Sequence, residues 1–298
     1  MLLIRGFEAA LLKRADHGFQ LLSGGEEAVS VGVCSALETD DQLLCSGRAI
    51  GPALARGLDP SLALAELAGK EAGPCRGRGG RGHLAAPAAG FFGAHAVVGG
   101  NLTIAAGVAL SFQLAGRSSI VACMFGDGAC GAGALHETLN IAALWRLPLL
   151  LVCNNNQYSV STPRSAVLAP ERLSDLARPF GIRAATVDGM DVLAVRESAL
   201  EFVRHVRGGA PAFLECVSYR FNTHSTDCRE SRSGPELAYY RERCPIRHLV
   251  QFLTSTGAAS PAEIEQIEDE VDRRIAESSR FADAAILPLR SDVLRHVY

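Results

Sequence analysis

Residues 119–162 read SIVACMFGDGACGAGALHETLNIAALWRLPLLLVCNNNQYSVST. SIVACMF (119–125) is a short apolar run with polar and glycine flanks, the pattern of a buried strand. GALHETLNIAALW (133–145) reads as a helix and LPLLLVC (147–153) as a second strand. Strand, helix, strand at this spacing predicts a parallel sheet with right-handed crossovers. Two more strands are expected at 183–187 and at PAFLECV (211–217).

The strand ends carry the chemistry. One residue, Gly126, separates Asp127 from the first strand, and Asn154, Asn155 and Asn156 follow the second. Asp127 and Asn156 are 29 residues apart (156 − 127). A crossover of that length returns both to the carboxyl edge of the sheet, where open parallel sheets bind ligands. A carboxylate and an amide oxygen are hard donors suited to magnesium, which shares its shell with substrate phosphates. Gly126 and Gly128 allow a tight turn. The N–H groups after Asp127 are expected to open a helix, a place that favours a diphosphate.

Other readings compete. GDGACG (126–131) formally matches the dinucleotide fingerprint GxGxxG. That fingerprint also needs an acidic residue about 20 positions on, yet no Asp or Glu lies between Thr138 and Gln157. Asp127 would also repel a diphosphate without an intervening cation. A nicotinamide or flavin site is therefore disfavoured, and GRGGRG (77–82) follows no strand. A purely structural role as caps and turns is a costly use of three consecutive asparagines.

Outward from this unit, residues 1–70 read as helical. Phe7, Leu11, Leu12 and Ala15 recur at helical spacing, and a second helix starts near Glu26. A third runs through SLALAELAGK, with Asp59 as N-cap and Pro60 in the first turn. Residues 73–101 read as an ordered, partly buried glycine-rich loop, and 260–282 as a charged amphipathic helix capped by Ser260. The expected organisation is a single domain, residues 1–298. Its parts are a helical N-terminal part (1–70), an α/β core (71–234) and a helical C-terminal part (235–298).

Composition sets the outer limits. The chain has 298 residues, 48% hydrophobic and 20% charged, with net charge −3. This excludes a disordered chain and gives no reason to expect nucleic-acid binding. The apolar stretches 102–110 and 147–153 are far short of a membrane span. The start MLLIRGFEAALLKR is broken by Arg5 and Glu8 and reads against a signal peptide. The nine cysteines come no closer than Cys123 and Cys130, which excludes CxxC sites and argues against a disulfide framework. A reducing cytoplasm is the expected location.

GDG, a gap of 25–30 residues and then NN resembles the signature of thiamine-diphosphate enzymes. Together with GEEAVSVGV, NIAALW, VDGMDVLAVRE, SYRFNTHS and the terminal DVLRHVY, the chain resembles the alpha subunits of 2-oxo acid dehydrogenases of the pyruvate, acetoin and branched-chain type. The resemblance covers nearly the whole chain and implies a thiamine-diphosphate-binding α/β fold, a central parallel sheet flanked by helices. It implies that Asp127, the side chain of Asn156 and the carbonyl of Tyr158 bind Mg2+. Gly128 and Ala129 would meet the diphosphate through backbone N–H groups, and Arg48 and Arg220 would pair with it. Ala96 and Val98 would contact the aminopyrimidine ring, and His224 would be the active-site histidine. A beta subunit would complete the site with a glutamate in an α2β2 heterotetramer, and a lipoyl or acyl-carrier domain would accept the product.

Departures accompany the resemblance. Where relatives read close to SYRDHGHALARG, this chain reads SGRAIGPALARG (46–57). Gly47 replaces a phosphate-binding tyrosine, and Ile50 and Pro52 replace two histidines. One lost phosphate hydrogen bond costs about 1–3 kcal/mol of cofactor binding. Gly131 and Ala132 replace Asn–Gln, and Asn154 replaces Glu. The lost histidines motivate two alternatives: transfer of a two-carbon ketol unit from a ketose phosphate, or a non-catalytic assembly subunit. The segment 220–236, RFNTHSTDCRESRSGPE, is expected to order over bound diphosphate, gaining protease protection.

Overall fold

A computed structural model describes residues 1–14 and 18–295. Ala15, expected to continue the first helix, and His296–Tyr298 of the DVLRHVY motif lie outside the described residues. In chain order the elements begin with α1 (Leu2–Leu12), α2 (Glu27–Cys34), β1 (Gln42–Ser46), α3 (Ile50–Ala55), α4 (Pro60–Leu67), β2 (Phe91–His95) and α5 (Gly100–Leu114). Then follow β3 (Val121–Gly126), α6 (Gly133–Trp145), β4 (Leu149–Asn155), the two-residue strands β5 (Tyr158–Ser159) and β6 (Thr162–Pro163), β7 (Arg183–Asp188), α7 (Val192–Arg207) and β8 (Ala212–Val217). Three α-helices follow, α8 (Gly234–Glu242), α9 (Pro245–Ser255) and α10 (Pro261–Ala284), and then a 3-10 turn at Arg290–Leu294.

Six strands form one parallel sheet in the order β2-β1-β3-β4-β8-β7, and β5 pairs with β6 in a separate antiparallel hairpin. The four internal strands β1, β3, β4 and β8 are buried runs because both faces are covered, whereas the edge strands β2 and β7 are partly exposed. Along β4, Leu150 and Val152 enter one core with α1, α2, α3, α4 and α7. Leu149, Leu151 and Cys153 enter a second core with α5 and α6. Each fully buried leucine stabilises the fold by about 2 kcal/mol. The expected strands at 121–126, 149–155, 183–188 and 212–217 are present within a residue or two, and α6 spans 133–145 as read.

Three local expectations need correction. Residues 42–46, read as part of a helical region, form the internal strand β1 between β2 and β3. The glycine-rich region holds the edge strand β2, with Phe91 fully buried. The N–H groups after Asp127 open no α-helix. Asp127–Gly131 is a 3-10 turn, Ala132 is extended (φ −83°, ψ 138°), and α6 starts only at Gly133. Glycines at 128, 131 and 133 leave this stretch without the propensity to extend the helix backwards.

The caps follow the sequence. Asp59 accepts the N–H of Ser61 at the start of α4, and Ser260 forms a capping box with Glu263 on α10. Glu66 on α4, 1% exposed, orders the glycine-rich segment. Its Oε2 accepts the N–H groups of Cys75 (2.9 Å) and Gly77 (3.0 Å), and its Oε1 those of Gly79 (2.8 Å) and Gly80 (3.0 Å). Four charge-assisted bonds from a chain with little propensity of its own make Glu66 its main restraint. Glu66→Gln turns an amide nitrogen against two of these donors. Tryptic cleavage at Arg76, Arg78 and Arg81 should then be about tenfold faster than in the wild type. An unchanged digestion rate would mean that the loop is held by other contacts.

Candidate functional site

The chain moves outward from β1 to β2 and then crosses to β3, so the winding reverses between β1 and β3. Ligands of doubly wound sheets sit at such a point, beyond the carboxyl ends of the strands. A cavity of about 200 Å³ lies there. It is lined by Ser46–Arg48 at the end of β1, Ala96 and Val98 after β2, Gly126–Ala129 at the end of β3, Asn154 and Asn156 at the end of β4, and Arg220 and His224 after β8. Gly126 pairs in register with Asn154, which puts Asp127 and Asn156 at adjacent strand tips. All ten residues singled out from the sequence, Tyr158 included, border this one cavity.

Strand alternation sorts the three asparagines. Asn154 and Asn156 face one side, and both amide nitrogens donate to Oε1 of Glu26, at 3.2 and 2.7 Å. Asn155 faces the other side and donates to Glu215 at 2.6 Å. Glu215 also accepts from Ser174 N–H (3.0 Å) and Thr186 Oγ1 (2.9 Å). The middle asparagine is thus a satisfied structural residue, while its neighbours serve the cavity. Asn156 Oδ1 accepts the N–H of Tyr158 at 3.1 Å. The Tyr158 hydroxyl donates to Glu236 at 2.8 Å.

Asp127 is 1% exposed, and its Oδ2 has no hydrogen-bond partner. Burial, with a smaller push from Glu26, raises its carboxyl to about 6. A buried carboxylate oxygen without a partner is expensive, and a cation is the group that would satisfy it. Among the described residues no three of His, Cys, Asp and Glu cluster to hold a metal. The donors here are one carboxylate plus amide and backbone oxygens, a set for a hard ion. Gly128 lets the β5–β6 hairpin approach closely: a Cβ there would lie 2.7 Å from Ser159 Oγ, which would have to turn away.

Two guanidinium groups border the same space. Arg48 donates to the Leu22 carbonyl at 2.9 Å, and its Nη2 lies 3.4 Å from His224 Nδ1. Arg220 donates to the carbonyls of Asn222 (2.9 Å) and Val160 (2.8 Å). Burial and the charge of Arg48 lower the Arg220 guanidinium to about 10. Burial, then Arg48 and Arg220, lower His224 to about 4, so its ring is neutral at pH 7. Gly47 turns the chain after β1 with φ +77°, and no atom lies within 4 Å of where its Cβ would be. Pro52 borders the cavity with Leu21, Cys45 and Met124. Ile50 lies in the core instead, 5% exposed. Of the two departures from histidine, only Pro52 makes this wall apolar.

Glu26 is the site residue that the sequence reading passed over. It lies within GEEAVSVGV, one of the segments that carry the resemblance, but as one of a pair of acids, Glu26 and Glu27, ahead of an apolar helix it fits an exposed helix start equally well. Both are buried. All nine cysteines are free thiols. No helix of the described residues is long and apolar enough to cross a membrane.

A family model described as dehydrogenase E1 component matches residues 4–289. The chain is 35% identical to the alpha subunit of an acetoin:2,6-dichlorophenolindophenol oxidoreductase of Bacillus subtilis, over 100% of this chain and 91% of that protein. It is 37% identical to a pyruvate dehydrogenase E1 component subunit alpha of Rhizobium meliloti, over 95% and 84%. It is 36% identical to a chloroplastic pyruvate dehydrogenase E1 component subunit alpha-3 of Arabidopsis thaliana, over 100% and 72%.

Proposed function

The chain belongs to the dehydrogenase E1 component family as an alpha subunit of the thiamine-diphosphate-dependent type, and from that membership we propose that the cavity at the β1–β3 switch is its cofactor site. The observation that carries this reading is Asp127 Oδ2, buried without a partner at a strand tip beside Asn156 and two arginines. Asp127, Asn156 and the carbonyl of Tyr158 would hold Mg2+. Arg48, Arg220 and the backbone at Gly128 and Ala129 would hold the diphosphate. Ala96 and Val98 would lie against the aminopyrimidine. When bound, thiamine diphosphate would supply an acidic carbon whose conjugate base is the nucleophile, and an electron sink, for cleavage of the bond next to a ketone carbon.

The protein's own groups prepare that site. Arg48 and Arg220 present fixed donors to an anion, and their burial strengthens the attraction. His224 is neutral, and Arg48 has only donors to offer its Nδ1, so the ring proton sits on Nε2. It is thereby set to donate a hydrogen bond to negative charge developing on a substrate oxygen. Val97 and Val98 at the rim are 65% and 64% exposed. A beta subunit covering them would exclude water and supply the missing glutamate, giving an α2β2 assembly in the cytoplasm. A 2-oxo acid is the proposed donor, and a lipoyl or acyl-carrier arm the acceptor.

Donor screening of the chain reconstituted with its beta subunit tests this. Consumption of pyruvate or branched 2-oxo acids is expected. The names of the relatives, acetoin and pyruvate, do not favour ketol transfer; consumption of ketose phosphates alone would revive it. A complex that binds cofactor but turns over no donor would be an assembly subunit.

A further inference from the structure

Glu26, at the N-cap of α2, is 1% exposed and sits in the cavity wall. Its Oε1 takes the amide N–H groups of Asn156 (2.7 Å) and Asn154 (3.2 Å). Arg48 Nε lies 3.1 Å from its Oε2, an ion pair at an angle that leaves Oε2 without a hydrogen bond. The same Arg48 reaches His224. On the far side, Ser218 Oγ donates to Asn154 Oδ1 at 2.5 Å. One buried carboxylate thus ties the tip of β4 to the arginine and, through it, to the histidine.

The two ends of an asparagine amide have nearly the same shape, and its partners decide which end faces where. A hard cation is bound only by the oxygen end. Glu26 accepts and does not donate, so it holds both amide nitrogens and turns both oxygens away. The geometry points to Glu26 as the positioning residue of the cofactor site: it fixes the oxygen of Asn156 for the metal and aims Arg48 at the diphosphate. This rests on the cofactor reading above. The simpler alternative makes Glu26 a buried counter-ion of Arg48. The two differ in sign. A counter-ion is one more negative charge near a diphosphate, so its removal would leave binding unchanged or tighter. Loss of a positioning group loosens it.

The test compares the wild-type complex with its beta subunit against complexes of Glu26→Gln and Glu26→Asp. Each is titrated with thiamine diphosphate at fixed magnesium, and with magnesium at fixed thiamine diphosphate, and each is melted without cofactor. Outer partners of metal ligands are commonly worth about 10–100-fold in metal affinity, and losses of that size are expected for both ligands in both variants. The cofactor-free melting temperature of Glu26→Asp should stay near that of the wild type. Binding by Glu26→Gln as tight as the wild type, or tighter, overturns the inference. If Glu26→Gln does not assemble, Glu26→Asp decides. It keeps the charge and withdraws it by one methylene from Asn156, so undiminished binding overturns the inference and weakened binding supports it. A wild-type complex that binds nothing overturns the cofactor reading and the inference with it.

Discussion

Replacing Asp127 with alanine should weaken magnesium-dependent binding of thiamine diphosphate by about a thousandfold, several kcal/mol. Asp127 is the one carboxylate among the proposed metal ligands; of the cavity's other charges, Arg48 and Arg220 suit the anion, and Glu26 is paired with Arg48. Without Asp127 those arginines still attract the diphosphate, but the cation that bridges it to the protein loses its anionic ligand. Asp127→Asn should lose binding nearly as completely, because a neutral amide is a poor substitute where a divalent charge must be matched. Its effect on the empty protein has the opposite sign. The variant removes a buried charge, one oxygen of which has no partner, so its cofactor-free melting temperature should equal or exceed the wild type's. Cofactor titration and thermal melting of the same sample check both halves. A variant that melts lower and binds normally would make Asp127 a structural residue.

The second large effect falls on turnover. His224→Gln should lower turnover of the reconstituted complex by about 10²–10³-fold, the range for loss of a positioned proton-handling group. Cofactor affinity should change little, because the phosphate-facing donors remain. The pH dependence of stability gives an independent reading. The folded-state value, about 4, lies below the ordinary 6.5. Between those values the unfolded chain binds a proton that the folded chain refuses, so stability falls as pH drops from 6.5 towards 4. It is unaffected by this group above 6.5. His224→Gln should flatten that part of the profile. Equal kinetics for variant and wild type would remove His224 from the reaction; an unchanged acid limb would contradict its lowered value.

What the sequence made legible follows from burial. SIVACMF and LPLLLVC are legible because strands buried on both faces are continuous apolar runs, and their spacing alone places Asp127 and Asn156 together. β1 was hidden because QLLCS is five residues long and sits among helices, and β2 because FFGAH interrupts a glycine-rich stretch. The turn after Asp127 was misread because a strand-to-helix junction looks alike whether its first N–H groups belong to an α-helix or to a 3-10 turn. Glu26 was invisible for a different reason. An acid at the start of a helix is ordinary, and only tertiary packing shows that this one is buried against Asn154, Asn156 and Arg48. Likewise Ile50 and Pro52 are two residues apart, yet one fills the core and the other borders the cavity.

The most direct measurement is calorimetric titration of the wild-type complex with thiamine diphosphate, with magnesium present and then with the metal chelated. The arrangement of Asp127, Asn156, Arg48 and Arg220 predicts one cofactor per alpha chain with magnesium and almost none after chelation. Heat that is the same in both conditions, or absent at millimolar cofactor, would contradict a metal-bridged diphosphate site at these strand tips.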